Sequence, residues 1–89
     1  MSSARDLLRR GAVRLERLPP PADPALEARL LLRKAAGLSE SALWKSIDAR
    51  VAPAAAARFL RLIEKRRRRV PLAYLTGERE FWSLSFRVF

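Results

Sequence analysis

Cysteine and histidine are both absent from this chain of 89 residues. Without thiols there is no disulfide and no thiolate ligand. Without imidazole there is no Cys/His zinc site and no histidine general base. Glycine is scarce. Gly11, Gly37 and Gly77 are the only three, and they are not clustered, so no glycine-rich turn brings the backbone close to a cofactor. Acidic residues are also few: nine Asp and Glu stand against 19 Lys and Arg, which leaves a formal charge of +10. No apolar run approaches the roughly 18 residues of a membrane span. Arg9 and Arg10 follow a short apolar stretch and precede a polar helix, which is not the pattern of a secretory leader. The lack of cysteine suits a cytoplasmic protein.

What is present is a small core. Hydrophobic residues make up 49% of the chain, enough for one modest domain and too many for a disordered tail. The charge is carried mostly by arginine. Such a balance favours acidic partners, whether nucleic acid, anionic membrane or an acidic protein surface. Arginine and alanine filling solvated helix faces would produce the same balance.

Local signals divide the chain into helices. Ser3 and Asp6 have the spacing of a capping box, and Leu8, Ala12 and Leu15 recur at i, i+4 and i+7. Gly11 weakens that helix by about 1 kcal/mol relative to alanine. The helix is expected to end near Leu18, before Pro19-Pro20-Pro21. Asp23 and Pro24 begin a second helix as N-cap and N1. Ala28, Leu31, Leu32 and Ala35 form its face, Leu26 and Leu30 widen it, and Gly37 stops it. Ser39 caps a third, with Leu38 and Leu43 as a hydrophobic staple and Leu43, Trp44 and Ile47 as its buried face. Pro53 opens a fourth, whose stripe is Ala56, Phe59, Leu60 and Ile63. It runs out in Lys65 and the arginines Arg66, Arg67, Arg68 and Arg69. The expected architecture is mainly α: a small antiparallel bundle of four helices plus a short fifth turn, Pro71 to Gly77.

At Gly77 the period changes. Trp82, Leu84, Phe86 and Val88 alternate with Ser83, Ser85 and Arg87, which is strand spacing. A hairpin from Glu80–Trp82 and Phe86–Phe89, or an extended linker, is expected, and a lone hairpin is marginal in water. The division is therefore a helical domain at 1–77 and a linker at 78–89.

The run Pro71-Leu72-Ala73-Tyr74-Leu75-Thr76-Gly77-Glu78-Arg79-Glu80-Phe81-Trp82 closely resembles a segment of the release-factor glutamine methyltransferases, the PrmC/HemK family. The helical pattern upstream fits as well. In that family the segment joins a small helical N-terminal domain to a larger methyltransferase domain. The chain departs from many members at Val70, where they carry glycine, and at Ser83-Leu84-Ser85, where they carry Gly-Leu-Pro.

The resemblance implies that the parent protein is an enzyme that uses S-adenosylmethionine. It would methylate the side-chain nitrogen of the glutamine in the Gly-Gly-Gln motif of class I peptide chain release factors. It also implies that this chain is the substrate-recognition domain alone. The family's Asn-Pro-Pro-Tyr motif is not in the chain, so no catalytic, cofactor-binding or metal residue is assigned, and the fragment alone is expected to bind no cofactor and to be inactive. The linker residues would be Glu80, Phe81, Trp82 and Phe86. Expected partners are class I release factors and the catalytic domain of the same chain, with no membrane and only non-specific nucleic acid.

Substrate docking is assigned to Arg66, Arg67, Arg68 and Arg69 as the most basic stretch. Four consecutive helical residues point around the axis, however, so only about two share a face. No aromatic interleaves with them to stack bases. Glu78 and Glu80 read as surface or ion-pairing groups, and Tyr74 as core packing with its hydroxyl at the rim. The alternative function is a free-standing basic helical module that binds RNA or DNA. An interaction module that dimerises through the aromatic strand comes third.

Overall fold

The computed structural model describes residues 2–19 and 22–77. It contains five helices: α1 (Ala4–Leu15), α2 (Pro24–Ala36), α3 (Glu40–Lys45), α4 (Pro53–Arg67) and α5 (Leu72–Thr76). Among the described residues there is no named strand, only an isolated bridge between Ser3 and Arg50. The expected hairpin, and the linker residues Glu80, Phe81, Trp82 and Phe86, lie outside the described residues.

The starts and stops follow the local chemistry. The Ser3, Asp23 and Ser39 side chains accept from the backbone N–H groups of Asp6, Leu26 and Ala42, which satisfies donors that a helix leaves open at its start. Gly37 and Gly77 take left-handed conformations at φ 68° and 89° and end α2 and α5. The start of α1 gains more. Ala4 and Arg5 donate to the carbonyls of Ala49 and Ile47 at 3.1 and 2.8 Å, and Val51 donates to Ser2 at 3.0 Å. The loop after α3 is thereby tied to the start of α1 by backbone bonds.

Packing centres on α2. Helices α1, α2 and α4 pack against one another pairwise, and α5 closes over α2 and α4. The largest fully buried side chains are Leu7, Leu15, Leu31, Leu32, Leu43, Phe59 and Ile63. Each contributes roughly 1.5–3 kcal/mol through burial. The expected α2 face of Ala28, Leu31, Leu32 and Ala35 is buried throughout.

Four details differ from the sequence-based expectation. Helix α1 ends at Leu15 rather than near Leu18. Glu16 and Leu18 bond back three residues, to Val13 and Leu15, a tighter turn forced by the proline that follows. The deepest line of α1 is Ala4, Leu7, Gly11 and Leu15, with Leu8 and Ala12 half-buried beside it. Trp44 is 49% exposed, not buried, because α3 is only six residues long and buries one position, Leu43. Tyr74 is likewise 51% exposed, and Leu75 is the residue that α5 buries.

Gly11 has a packing role that its helix propensity conceals. A Cβ there would meet Phe59 Cζ at 2.6 Å and Ile63 Cδ1 at 3.1 Å. The residue that weakens α1 locally is the one that lets α4 seat its phenylalanine.

Candidate functional site

Helix α4 and the turn after it carry seven of the 19 Lys and Arg residues, and the faces of the helix use them differently. Arg66 points inward to Glu27 of α2. Its Nε and Nη2 donate to Oε1 and Oε2 at 2.6 and 3.2 Å, a two-pronged pair. The glutamate side chain is 8% exposed and the arginine 19%. A third donor, Nη1, bonds the Val70 carbonyl at 3.2 Å. The hydrogen bond that Arg66 donates to Glu27 raises the Arg66 pKa, against the lowering effect of burial. This pair clamps α2 to the end of α4 and holds the turn that leads into α5.

That turn carries the one non-glycine with positive φ among the described residues, Arg69 at 71°. Val70 donates to Lys65 and Arg69 to Arg66, at 3.2 and 2.8 Å. These are the two bonds of a Schellman stop, where glycine is the usual left-handed residue.

The flank of α4 that faces α1 is partly neutralised. Glu64 accepts from Arg14 at 2.8 Å and from Arg67 at 3.1 Å. The hydrogen bond from Arg67 comes first in holding the Glu64 carboxyl below its ordinary value, with the charges of Arg67, Arg14 and Arg68 acting in the same sense. Between the ends of α1 and α4 lies a cleft of about 210 Å³ lined by Arg14, Arg17, Leu18, Arg67 and Arg69.

The outer face is different. Arg58, Arg61, Lys65 and Arg68 follow steps of three, four and three, which puts them on one stripe of the helix. All four are exposed. Lys34 of α2 joins them at a cleft of about 240 Å³, lined also by Ala35, Arg58, Arg61, Leu62 and Lys65. Arg58 donates to the Ala35 carbonyl at the end of α2, at 3.0 Å. None of these five cations forms a salt bridge among the described residues.

The four arginines assigned to docking are thus separated. Arg66 is committed to Glu27, Arg67 to Glu64, Arg68 stands on the outer stripe, and Arg69 lines the α1–α4 cleft. The run is conspicuous as a run, while the three-four-three spacing is the signal for a shared face. Glu27 is legible too, as an acid four residues before Leu31 and therefore on the buried line of α2.

Elsewhere, Glu40 joins α3 to α2. It accepts from Arg33 and from the Trp44 indole at 3.3 and 2.8 Å. Arg29 Nε lies 3.2 Å from Glu40 Oε2 without the alignment of a hydrogen bond, and its guanidinium sits 5.9 Å from the Trp44 ring centroid. An open groove of about 340 Å³ runs between α2 and α5, bordered by Leu30, Arg33, Lys34, Leu38, Leu72, Ala73 and Thr76. Among the described residues, no cluster of carboxylates could hold a metal ion, and no helix is long and apolar enough to cross a membrane.

Comparison with known proteins places this arrangement. The family described as the PrmC N-terminal domain matches residues 6–77. A release factor glutamine methyltransferase of Moorella thermoacetica is 46% identical over 73% of this chain and 23% of its own length. One from Deinococcus radiodurans is 43% identical over 86% of this chain and 27% of its own. One from Burkholderia pseudomallei is 44% identical over 72% of this chain and 22% of its own. The chain therefore spans about a quarter of the length of the curated relatives it matches. No solved structure matches it. With the helical match extending over five helices from α1 to the Gly77 stop, the chain belongs to the PrmC N-terminal domain family.

Proposed function

We propose that this chain is the substrate-docking domain of a release factor glutamine methyltransferase. The carrying observation is the similarity, at 43–46% identity, to about a quarter of the length of proteins with that name. In this reading the methyl transfer, from S-adenosylmethionine to the glutamine nitrogen of the Gly-Gly-Gln motif, belongs to a second domain. The helical domain holds a class I release factor so that its glutamine loop reaches that domain. Remote contacts of this kind supply orientation, which is a large part of what an enzyme contributes to a reaction between two partners.

The described residues do not fit the cofactor. Gly37 and Gly77 end helices, and Gly11 lies under Phe59. None is free to let the backbone approach a ligand after a strand, as such sites require. No step of the chemistry is routed through this domain.

Arg68 and Arg69 remain the docking candidates of the four-arginine run, because Arg66 and Arg67 already have carboxylate partners. The test is calorimetric titration of the 89-residue chain with a class I release factor and, separately, with S-adenosylmethionine. Binding of the first and not the second is expected. Stoichiometric micromolar binding of S-adenosylmethionine would overturn the division of labour.

A further inference from the structure

The docking surface itself can be named. Arg58, Arg61, Lys65 and Arg68 are exposed on one stripe of α4, and Lys34 extends it onto α2 across a shallow cleft. At about 100° per residue, the four α4 positions fall within roughly 80° of one another around the axis. They span roughly ten residues, or about 15 Å along it. Like charges three and four residues apart on a helix repel. Here Arg58 and Arg61, Arg61 and Lys65, and Lys65 and Arg68 are all such neighbours.

The nearest acid on the helix, Glu64, borders the stripe beside Arg61, Lys65 and Arg68, but its carboxylate is paired with Arg14 and Arg67. The repulsion on the stripe is therefore relieved only in part, through the attraction between Arg68 and Glu64, and none of its four cations forms a salt bridge among the described residues. By contrast, Arg5, Arg14, Arg29, Arg33, Arg66 and Arg67 all have carboxylate partners. Cations left uncompensated together on one face form a field that draws in an anionic surface.

We infer that the α4 stripe of Arg58, Arg61, Lys65 and Arg68, with Lys34 of α2, docks an acidic strip of the protein substrate. The inference rests on the release-factor reading above and specifies where that partner sits. Axial steps of three, four and three residues are about 4.5–6 Å each. Carboxylates spaced by three and four on a partner helix repeat at the same steps, so the two rows can face each other in register. The floor beside the stripe includes the half-buried Leu62, with apolar atoms for a partner's side chains to cover. A single-stranded nucleic acid would call for aromatic platforms among the cations, and the α4 stripe has none.

The experiment uses the 89-residue chain and a class I release factor at physiological salt. One variant carries Arg61→Ser, Lys65→Ser and Arg68→Ser. A charge-matched variant carries Arg10→Ser, Lys45→Ser and Arg50→Ser, three exposed positions away from the stripe. Circular dichroism checks that both remain helical. The stripe variant is expected to weaken release-factor binding by about tenfold or more, and the control by about twofold at most, because a local charge array and not net charge makes the contact.

Equal losses in the two variants would overturn the inference, since bulk charge would then suffice. Unchanged binding in the stripe variant would overturn it while leaving the release-factor reading intact. No binding by the parent chain would remove both. A mixed RNA pool is the remaining arm. Tight RNA binding at physiological salt, lost in the stripe variant while release-factor binding persists, would assign the stripe to nucleic acid instead.

Discussion

Lys65 and Arg66 are neighbours in the chain, about 100° apart around the axis of α4, and belong to different faces of it. Arg66 is turned to Glu27 and the Val70 carbonyl, with its side chain 19% exposed. Lys65 is exposed beside Arg58, Arg61 and Arg68 and has no salt bridge among the described residues. The inner face of the helix, with Ala55, Phe59, Ile63 and Arg66, meets the rest of the bundle. The outer face meets solvent. A basic run in a sequence therefore has no single meaning. Helical phase decides whether a cation closes the fold or remains available to a partner.

The largest effect expected on the inner face is at Phe59. Its side chain is fully buried, and Phe59→Ala should destabilise the bundle by about 3–5 kcal/mol. Chemical denaturation monitored by circular dichroism reads it. A midpoint equal to that of the parent would mean that α4 packs in another phase, and the contrast between its faces would dissolve.

Arg66→Ala comes next, at about 3 kcal/mol. That is the low end for breaking a buried pair, because the guanidinium keeps some exposure. Replacing both partners, Glu27→Leu with Arg66→Met, should cost far less, since the penalty comes from the carboxylate left alone. A double variant as unstable as Arg66→Ala would show that the pair contributes more than charge compensation. On the outer face, single replacements at Arg61, Lys65 and Arg68 should stay within about 0.5 kcal/mol, so the same denaturation series measures the contrast directly.

Gly11→Ala gives a smaller effect whose sign is informative. Helix propensity alone makes the change favourable by about 1 kcal/mol. The approach of 2.6 Å to Phe59 Cζ adds overpacking of about 1–3 kcal/mol in the other direction, because a fully buried ring has no empty space to swing into. A net loss of about 1 kcal/mol, the balance of those two effects, is expected by thermal or chemical denaturation. A gain would show that α1 and α4 have room to separate.

Arg69→Gly is the mildest. Relief of the left-handed conformation, worth about 1–2 kcal/mol, is offset by the greater freedom of glycine in the unfolded chain. A stabilisation of about 0.5 kcal/mol is expected from the same denaturation curves. A destabilised variant would mean that the Arg69 side chain supports the turn.

Legibility in the sequence follows a physical line. Signals that act within a few residues are plain. Ser3, Asp23 and Ser39 cap their helices, Pro24 and Pro53 open theirs, and Gly37 and Gly77 stop theirs. The α2 face is equally plain, because four apolar positions at i, i+3, i+4 and i+7 line one side of a helix and scatter over both faces of a strand. Signals that depend on what lies across the bundle are harder to read. Gly11 looks like a defect until Phe59 is placed against it. Trp44 looks like core until α3 proves too short to bury two adjacent positions. Arg66 looks like a free cation until Glu27 is found opposite. The outer stripe is written in the sequence as a periodicity of charge, obscured by the more conspicuous run of consecutive arginines.

The central claim is that the outer face of α4, and not basic charge in general, meets the protein substrate. The three lysines of the chain test it without any substitution. Lys34 and Lys65 border the stripe cleft, whereas Lys45 lies at the end of α3. All three are exposed. Acetylation of the lysines, with and without a saturating class I release factor, can be read residue by residue by mass spectrometry. The account predicts that the release factor slows modification of Lys34 and Lys65 several-fold and leaves Lys45 unchanged. Equal protection of all three, or protection of Lys45 alone, would contradict it.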